Sequence, residues 1–102
     1  DDVVPGVLAA IDRPPPADAE EPHRLYNLGN DSPESVNALV TAIEAACERK
    51  AQRIDTPMPL GDVPKTWADI SASRQDLGYA PSVKLDEGIR RFVAWYRDYA
   101  KI

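Results

Sequence analysis

The residues best placed to do chemistry sit in one stretch, TPMPLGDVPKTWAD, running from Thr56 to Asp69. Its prolines and sparse apolar residues suit neither a helix nor a strand, so it reads as a loop. Gly61 lets the backbone turn sharply, and Asp62 directly after it can aim a carboxylate out of the turn. A carboxylate held this way can accept two hydrogen bonds from a vicinal diol such as a ribose. The same two residues could instead form an Asx-turn that only ties the loop down. Spacing alone leaves both readings open.

Little else in the chain competes for a chemical role. The single histidine, His23, has no metal-ligand spacing around it, and a Ser–His pair would have to borrow it from an acidic connector. No glycine cluster follows G-x-G-x-x-G or the P-loop pattern, so nothing here cradles a pyrophosphate by itself. Glu20–Glu21 reads as solvated charge, and Asp86–Glu87 as a device for starting a helix. Tyr96 and Tyr99 lie on an aromatic-rich helix whose default role is packing. Cys47 falls on an apolar helix face with no base beside it, so it reads as a small core residue.

The elements that must position the loop follow from periodicity. Residues 1–13 carry Val3, Val4, Val7, Leu8 and Ile11 at helical spacing, with Asp1 or Asp2 as cap and Pro14–Pro16 as the stop. Residues 14–24 form a stiff acidic connector, and 25–29 (within HRLYNLG) reads as a strand. A second helix should be capped by Ser32, begin at Pro33 and place Val36, Leu39, Val40, Ile43 and Cys47 on one face. Arg49 and Lys50 then suit its C-terminal end. AQRID, residues 51–55, reads as another short strand. A short helix should start near Asp69 or Ser71 and end at Gly78. The last helix puts Ile89, Phe92, Val93, Tyr96 and Ala100 on one face. The expected fold class is α/β but mainly helical: about four helices with two or three short strands.

Composition bounds the rest. The 102 residues suffice for one small domain, and a 43% hydrophobic, 28% charged make-up is that of a folded soluble chain. A net charge of −5 with scattered basic residues argues against a nucleic-acid partner. No apolar run is long enough to span a bilayer. The lone cysteine excludes an internal disulfide and fits a reducing, cytoplasmic compartment. The start DDVVPG, without Met or signal pattern, looks cut out of something longer.

Read in order, DDVVPGV, RLYNLGNDSPESV and PMPLGDVPKTWADISASRQDLGYAPSVKLDEGIRRFVAWYRDY resemble the C-terminal part of an NAD-dependent nucleotide-sugar epimerase. That family belongs to the extended short-chain dehydrogenases, and the pattern is most similar to the UDP-glucuronate 4-epimerase branch. The likeness covers nearly the whole chain and is loosest over Pro14–Pro22. A dehydratase or decarboxylase acting on a nucleotide-sugar shares the YNLG and C-terminal helix patterns, and a small interaction module without ligand is a further alternative.

The resemblance implies a two-part enzyme. A Rossmann domain would hold NAD and the catalytic Ser/Thr, Tyr and Lys, while a smaller C-terminal region closes over the UDP-sugar. The tyrosine would take the C4 hydroxyl proton as hydride passes to NAD, and the keto-sugar would turn over and regain the hydride on its other face. This chain has no Tyr-x-x-x-Lys, so 1–102 is expected to be a single substrate-binding region. It would be inert alone, with no catalytic residue and no NAD site of its own. Its helix 1–13 and strand 25–29 would pack on the missing Rossmann domain, and their apolar surface, left bare, would favour a homo-oligomer.

Carried over by position, Asp62 matches the family aspartate that bonds the uridine ribose, with Gly61 shaping its turn. Thr66, Trp67 and Asp69 match a segment shaping the pocket wall, where packing weighs above ligand contact. Asp1 and Asp2 match a pair at a helix start. Several relatives have an arginine three residues before the aspartate to grip the diphosphate, and here Pro59 stands in its place.

Overall fold

The computed structural model describes all 102 residues, Asp1–Ile102. Its regular structure consists of α1 (Val3–Asp12), α2 (Val36–Cys47), α3 (Ser71–Leu77) and α4 (Leu85–Ala100). Two compact units form, each discontinuous in sequence: Asp1–Pro33 with Lys65–Ser82, and Glu34–Pro64 with Val83–Ile102. No helix is long and apolar enough to cross a membrane.

In the first unit α1 packs against α3. Pro5 is tolerated because it is the third helical residue of α1, where the amide has no intrahelical acceptor anyway. Asp2 occupies the cap position but makes no capping bond, contrary to its expected role. Its carboxylate instead accepts from the Ser82 amide at 3.1 Å and the Ser82 hydroxyl at 3.2 Å, pinning the start of α1 to the end of the unit. Gly6 faces inward, and a Cβ there would stand 2.7 Å from Leu28 Cδ2 and 3.0 Å from the Tyr79 ring. The close approach is what requires glycine. α3 ends as expected at Gly78, in the left-handed region at φ 69°, with its N–H on the Arg74 carbonyl. The interior is small: Ile70, Leu77 and Tyr79, with the Ser73 hydroxyl among them.

The strands expected at 25–29 and 51–55 do not form. A strand needs a neighbouring ladder to take up its backbone groups. Here the carbonyls of Asn27 and Gly29 are taken by the hydroxyls of Ser73, at 2.8 Å, and Tyr79, at 3.1 Å. Asn30 makes the one backbone pairing, its carbonyl accepting from Ala68 at 3.2 Å. Residues 51–55 are exposed throughout, and the amide of Ala51 is used by the Glu44 carboxylate at 2.9 Å. The fold is therefore all-helical in its regular elements, not α/β.

In the second unit α2 packs against α4. Its cap is Ser35, three residues later than the expected Ser32: the Ser35 hydroxyl accepts from the Ala38 amide at 3.0 Å. Ser32 is held earlier, where its own amide donates to the Asn30 side chain at 2.7 Å in an Asx-turn. That turn, and not a helix start, precedes Pro33. α2 closes with Glu48 in the left-handed region, φ 56°, so Arg49 and Lys50 lie past the helix and not in its last turn. Cationic help for the C-terminus of α2 comes from Arg97 of α4, whose guanidinium donates to the Cys47 carbonyl at 3.0 Å. Cys47 itself is half-buried, lining an apolar cavity of about 290 Å³ together with Ile43, Ile89 and Val93.

Candidate functional site

The loop carrying Gly61 and Asp62 lies in the second unit and is exposed from Ala51 to Pro64. Its one sharp bend spans Pro59 to Asp62, closed by the Asp62 amide donating to the Pro59 carbonyl at 3.2 Å. Gly61, at φ 90°, is the third residue of that turn, the position a type II turn reserves for a left-handed residue. Leu60, ahead of it, is fully exposed. The bend turns the next side chain outward, as the Gly-Asp pairing predicts.

Asp62 Oδ1 accepts the amide proton of Val63 at 2.8 Å in an exposed setting. This contact is to the very next residue, not to the amide two residues on that an Asx-turn uses, and that position is Pro64, which has no N–H to give. The contact engages one oxygen and leaves Oδ2 without a protein partner, so the carboxylate keeps acceptor capacity pointed at solvent.

Thr66 and Trp67 belong to the first unit. Trp67 is 61% exposed, and Lys65 Nζ stands 5.6 Å from its ring centroid, a cation–π contact. Asp69 is tied into the start of α3: Oδ1 accepts the Ser71 amide at 3.0 Å, and its own carbonyl receives the Asn27 side chain at 3.1 Å. Hydrogen bonds from the Ser71 side chain and amide hold the Asp69 carboxyl below its ordinary pKa. Asp69 is thus a local organiser of α3.

One polar centre escaped the sequence reading. Arg13 donates to the Asp76 carbonyl at 2.8 Å, while Tyr26 and Arg24 reach its carboxylate at 3.0 and 3.4 Å. The partners are 50 or more residues apart, so no local pattern announces them. Their effect is structural: they fasten the connector's two ends to α3. NAD does not fit these residues. No helix opens on a glycine-rich turn, and α1 and α4 carry Asp1–Asp2 and Glu87–Asp86 at the ends where a pyrophosphate would sit.

No family model matches the chain. Over 97% of its length it is 39% identical to UDP-glucuronate 4-epimerase 1 of Arabidopsis thaliana, of which it spans 25%. UDP-glucuronate 4-epimerase 2 of the same plant is 38% identical over 99% of the chain, again across 25% of the relative. Protein CapI of Staphylococcus aureus is 33% identical over 86% of the chain and 26% of the relative. Among solved structures, a point mutant of UDP-glucuronic acid 4-epimerase from Bacillus cereus, in complex with UDP-4-deoxy-4-fluoro-glucuronic acid and NAD, superposes with a TM-score of 0.75. That match has 23% identity and covers 97% of this chain and 30% of the other.

The helical arrangement is accordingly that of the C-terminal part of a nucleotide-sugar epimerase. By sequence the chain is homologous to UDP-glucuronate 4-epimerases, and it spans about a quarter of the length of the curated relatives it matches.

Proposed function

We propose that this chain supplies the UDP-sugar-binding lid for the NAD-dependent interconversion of UDP-glucuronate and UDP-galacturonate. Hydride transfer and proton abstraction would be performed by residues outside these 102. The observation that carries the reading is the 39% identity to a UDP-glucuronate 4-epimerase across 97% of the chain. The exposed Asp62 carboxylate adds a handhold: Oδ2, together with the remaining lone pair of Oδ1, accepts the two ribose hydroxyl protons. Gly61 keeps the turn that presents it.

The test has two arms. Incubation of the chain with NAD and UDP-glucuronate should yield no UDP-galacturonate. Titration with UDP up to about 10 mM, followed by NMR, should shift the amide resonances of Gly61 to Val63 with a weak, millimolar-class affinity. Asp62→Ala should abolish those shifts while leaving the spectrum of the remaining chain intact. Turnover by the chain alone, or UDP shifts that survive Asp62→Ala, would overturn the assignment.

A further inference from the structure

α4 is amphipathic on more than one side. The side that meets α2 uses Ile89 and Val93, both half-buried. A second stripe runs Gly88, Phe92, Trp95, Tyr99, spaced four, three and four residues apart, which is the seam spacing of a helix that packs on another helix. Its aromatic members are open to solvent: Phe92 and Trp95 are 56% exposed and Tyr99 is 72% exposed. They also form a continuous ring surface. Phe92 and Trp95 have centroids 5.7 Å apart, and Trp95 stacks on Tyr99 at 5.3 Å with 20° between planes. Apolar continuity of this kind on a soluble chain marks an interaction surface.

The flanking charges say what covers it. On one edge of the stripe lie Arg91 and Asp98, seven residues apart and therefore at the same position of successive heptads. Both are exposed, with Arg91 bonded to Glu87 and Asp98 to Lys101 at 3.2 Å. An edge bearing one cation and one anion in equivalent positions is complementary to itself run in the opposite direction. Antiparallel pairing of two such edges sets Arg91 of each copy beside Asp98 of the other. In that same register Phe92 meets Trp95 of the second copy, and Tyr99 falls opposite Gly88. The glycine leaves room there: a Cβ built on Gly88 meets nothing nearer than Val83 Cγ1 at 3.7 Å. Charge and side-chain size thus select one register independently. The apolar side of α1 is also exposed but has no comparable charge pattern to choose an occupant.

We propose that two copies of this chain associate through an antiparallel α4–α4 contact centred on Phe92 and Trp95, with Tyr99 seated over Gly88 and reciprocal Arg91–Asp98 pairs. The contact is isologous, each copy offering the same patch. Three partly exposed aromatic side chains provide roughly 350 Å² per copy, well short of the ~800 Å² of a standard interface, so the dimer is weak.

Sedimentation equilibrium of the full chain between about 5 and 500 µM should show a reversible monomer–dimer equilibrium, with a Kd in the range of about 10–500 µM. Trp95→Ala and Gly88→Leu should each weaken it by about tenfold or more, with circular dichroism confirming intact helices. Arg91→Asp and Asp98→Arg should each weaken it. The double variant R91D/D98R should return to within about threefold of the starting affinity, because every pair is restored with its signs exchanged. A chain that is monomeric throughout the range overturns the proposal, as does a double variant no tighter than its singles. Dimerisation insensitive to Trp95→Ala would place the contact elsewhere and equally refute it.

Discussion

Replacing Ser73 by alanine is the sharpest probe of how the first unit is held together. Ser73 has no exposed surface, and its hydroxyl lies 2.8 Å from the Asn27 carbonyl and 3.0 Å from the Ile70 carbonyl. A hydroxyl has one proton to give. The Ile70 carbonyl already receives the Arg74 amide at 2.8 Å, so the bond that matters joins α3 to the 26–30 segment. Leaving this part-buried acceptor unmet costs about 1–2 kcal/mol, the lower part of the range for a buried group. Alanine's better helix propensity offsets about 0.5 kcal/mol of that. The expected net loss is about 0.5–1.5 kcal/mol, which for a domain of this size lowers Tm by about 2–12 °C. Thermal denaturation followed by circular dichroism measures it. Tyr79→Phe, which removes the hydroxyl donating to Gly29 at 3.1 Å but keeps the ring, should show a loss of the same order. If both variants melt at or above the parent temperature, side-chain hydroxyls are not what fixes the 26–30 backbone, and the explanation for the missing strand fails with them.

Two further outcomes follow from the second unit. Glu44 has its carboxyl held below the ordinary 4.5, first by the Ala51 amide and then by Lys50, whose ammonium lies 3.1 Å away. Its ionised form therefore favours the folded state: the stabilisation is complete above the ordinary value and fades as pH falls through the depressed one. Glu44→Gln should flatten the acid limb of a stability–pH curve below about pH 4.5 relative to the parent, and an unchanged limb would contradict the bonding described. Ser35→Ala removes the cap of α2 and should cost about 1 kcal/mol in urea unfolding, whereas Ser32→Ala should be nearly silent. The reverse ranking would restore the helix start expected from the sequence.

Helices α1, α3 and α4 were legible because their signals are local. Pro14–Pro16 end the first, Gly78 ends the third, and the charges of Asp86 and Glu87 open the last. The cap of α2 was misplaced because Ser32 and Ser35 look alike until the Asn30 side chain is seen engaging the first of them. The strands failed for a deeper reason. RLYNLG has the composition of a strand, but pairing is a property of two segments, and the partner backbone is absent while distant hydroxyls stand ready. Within the candidate site, the bend at Gly61 and the outward Asp62 could be read from two residues. The lysine poised over Trp67 and the cluster on Asp76 could not, since they depend on where side chains meet in space.

The grip of Ser73 and Tyr79 on an otherwise solitary extended stretch has an evolutionary corollary. A ladder would punish any slip by one residue, because every side chain would change face. Two point fastenings impose no such penalty on the proline-rich approach from Pro14 to Pro22. That approach can lengthen or shorten while Asn27 and Gly29 stay where they are. Tolerance for insertion should concentrate there, and the clamp residues, far downstream, are the ones that cannot drift.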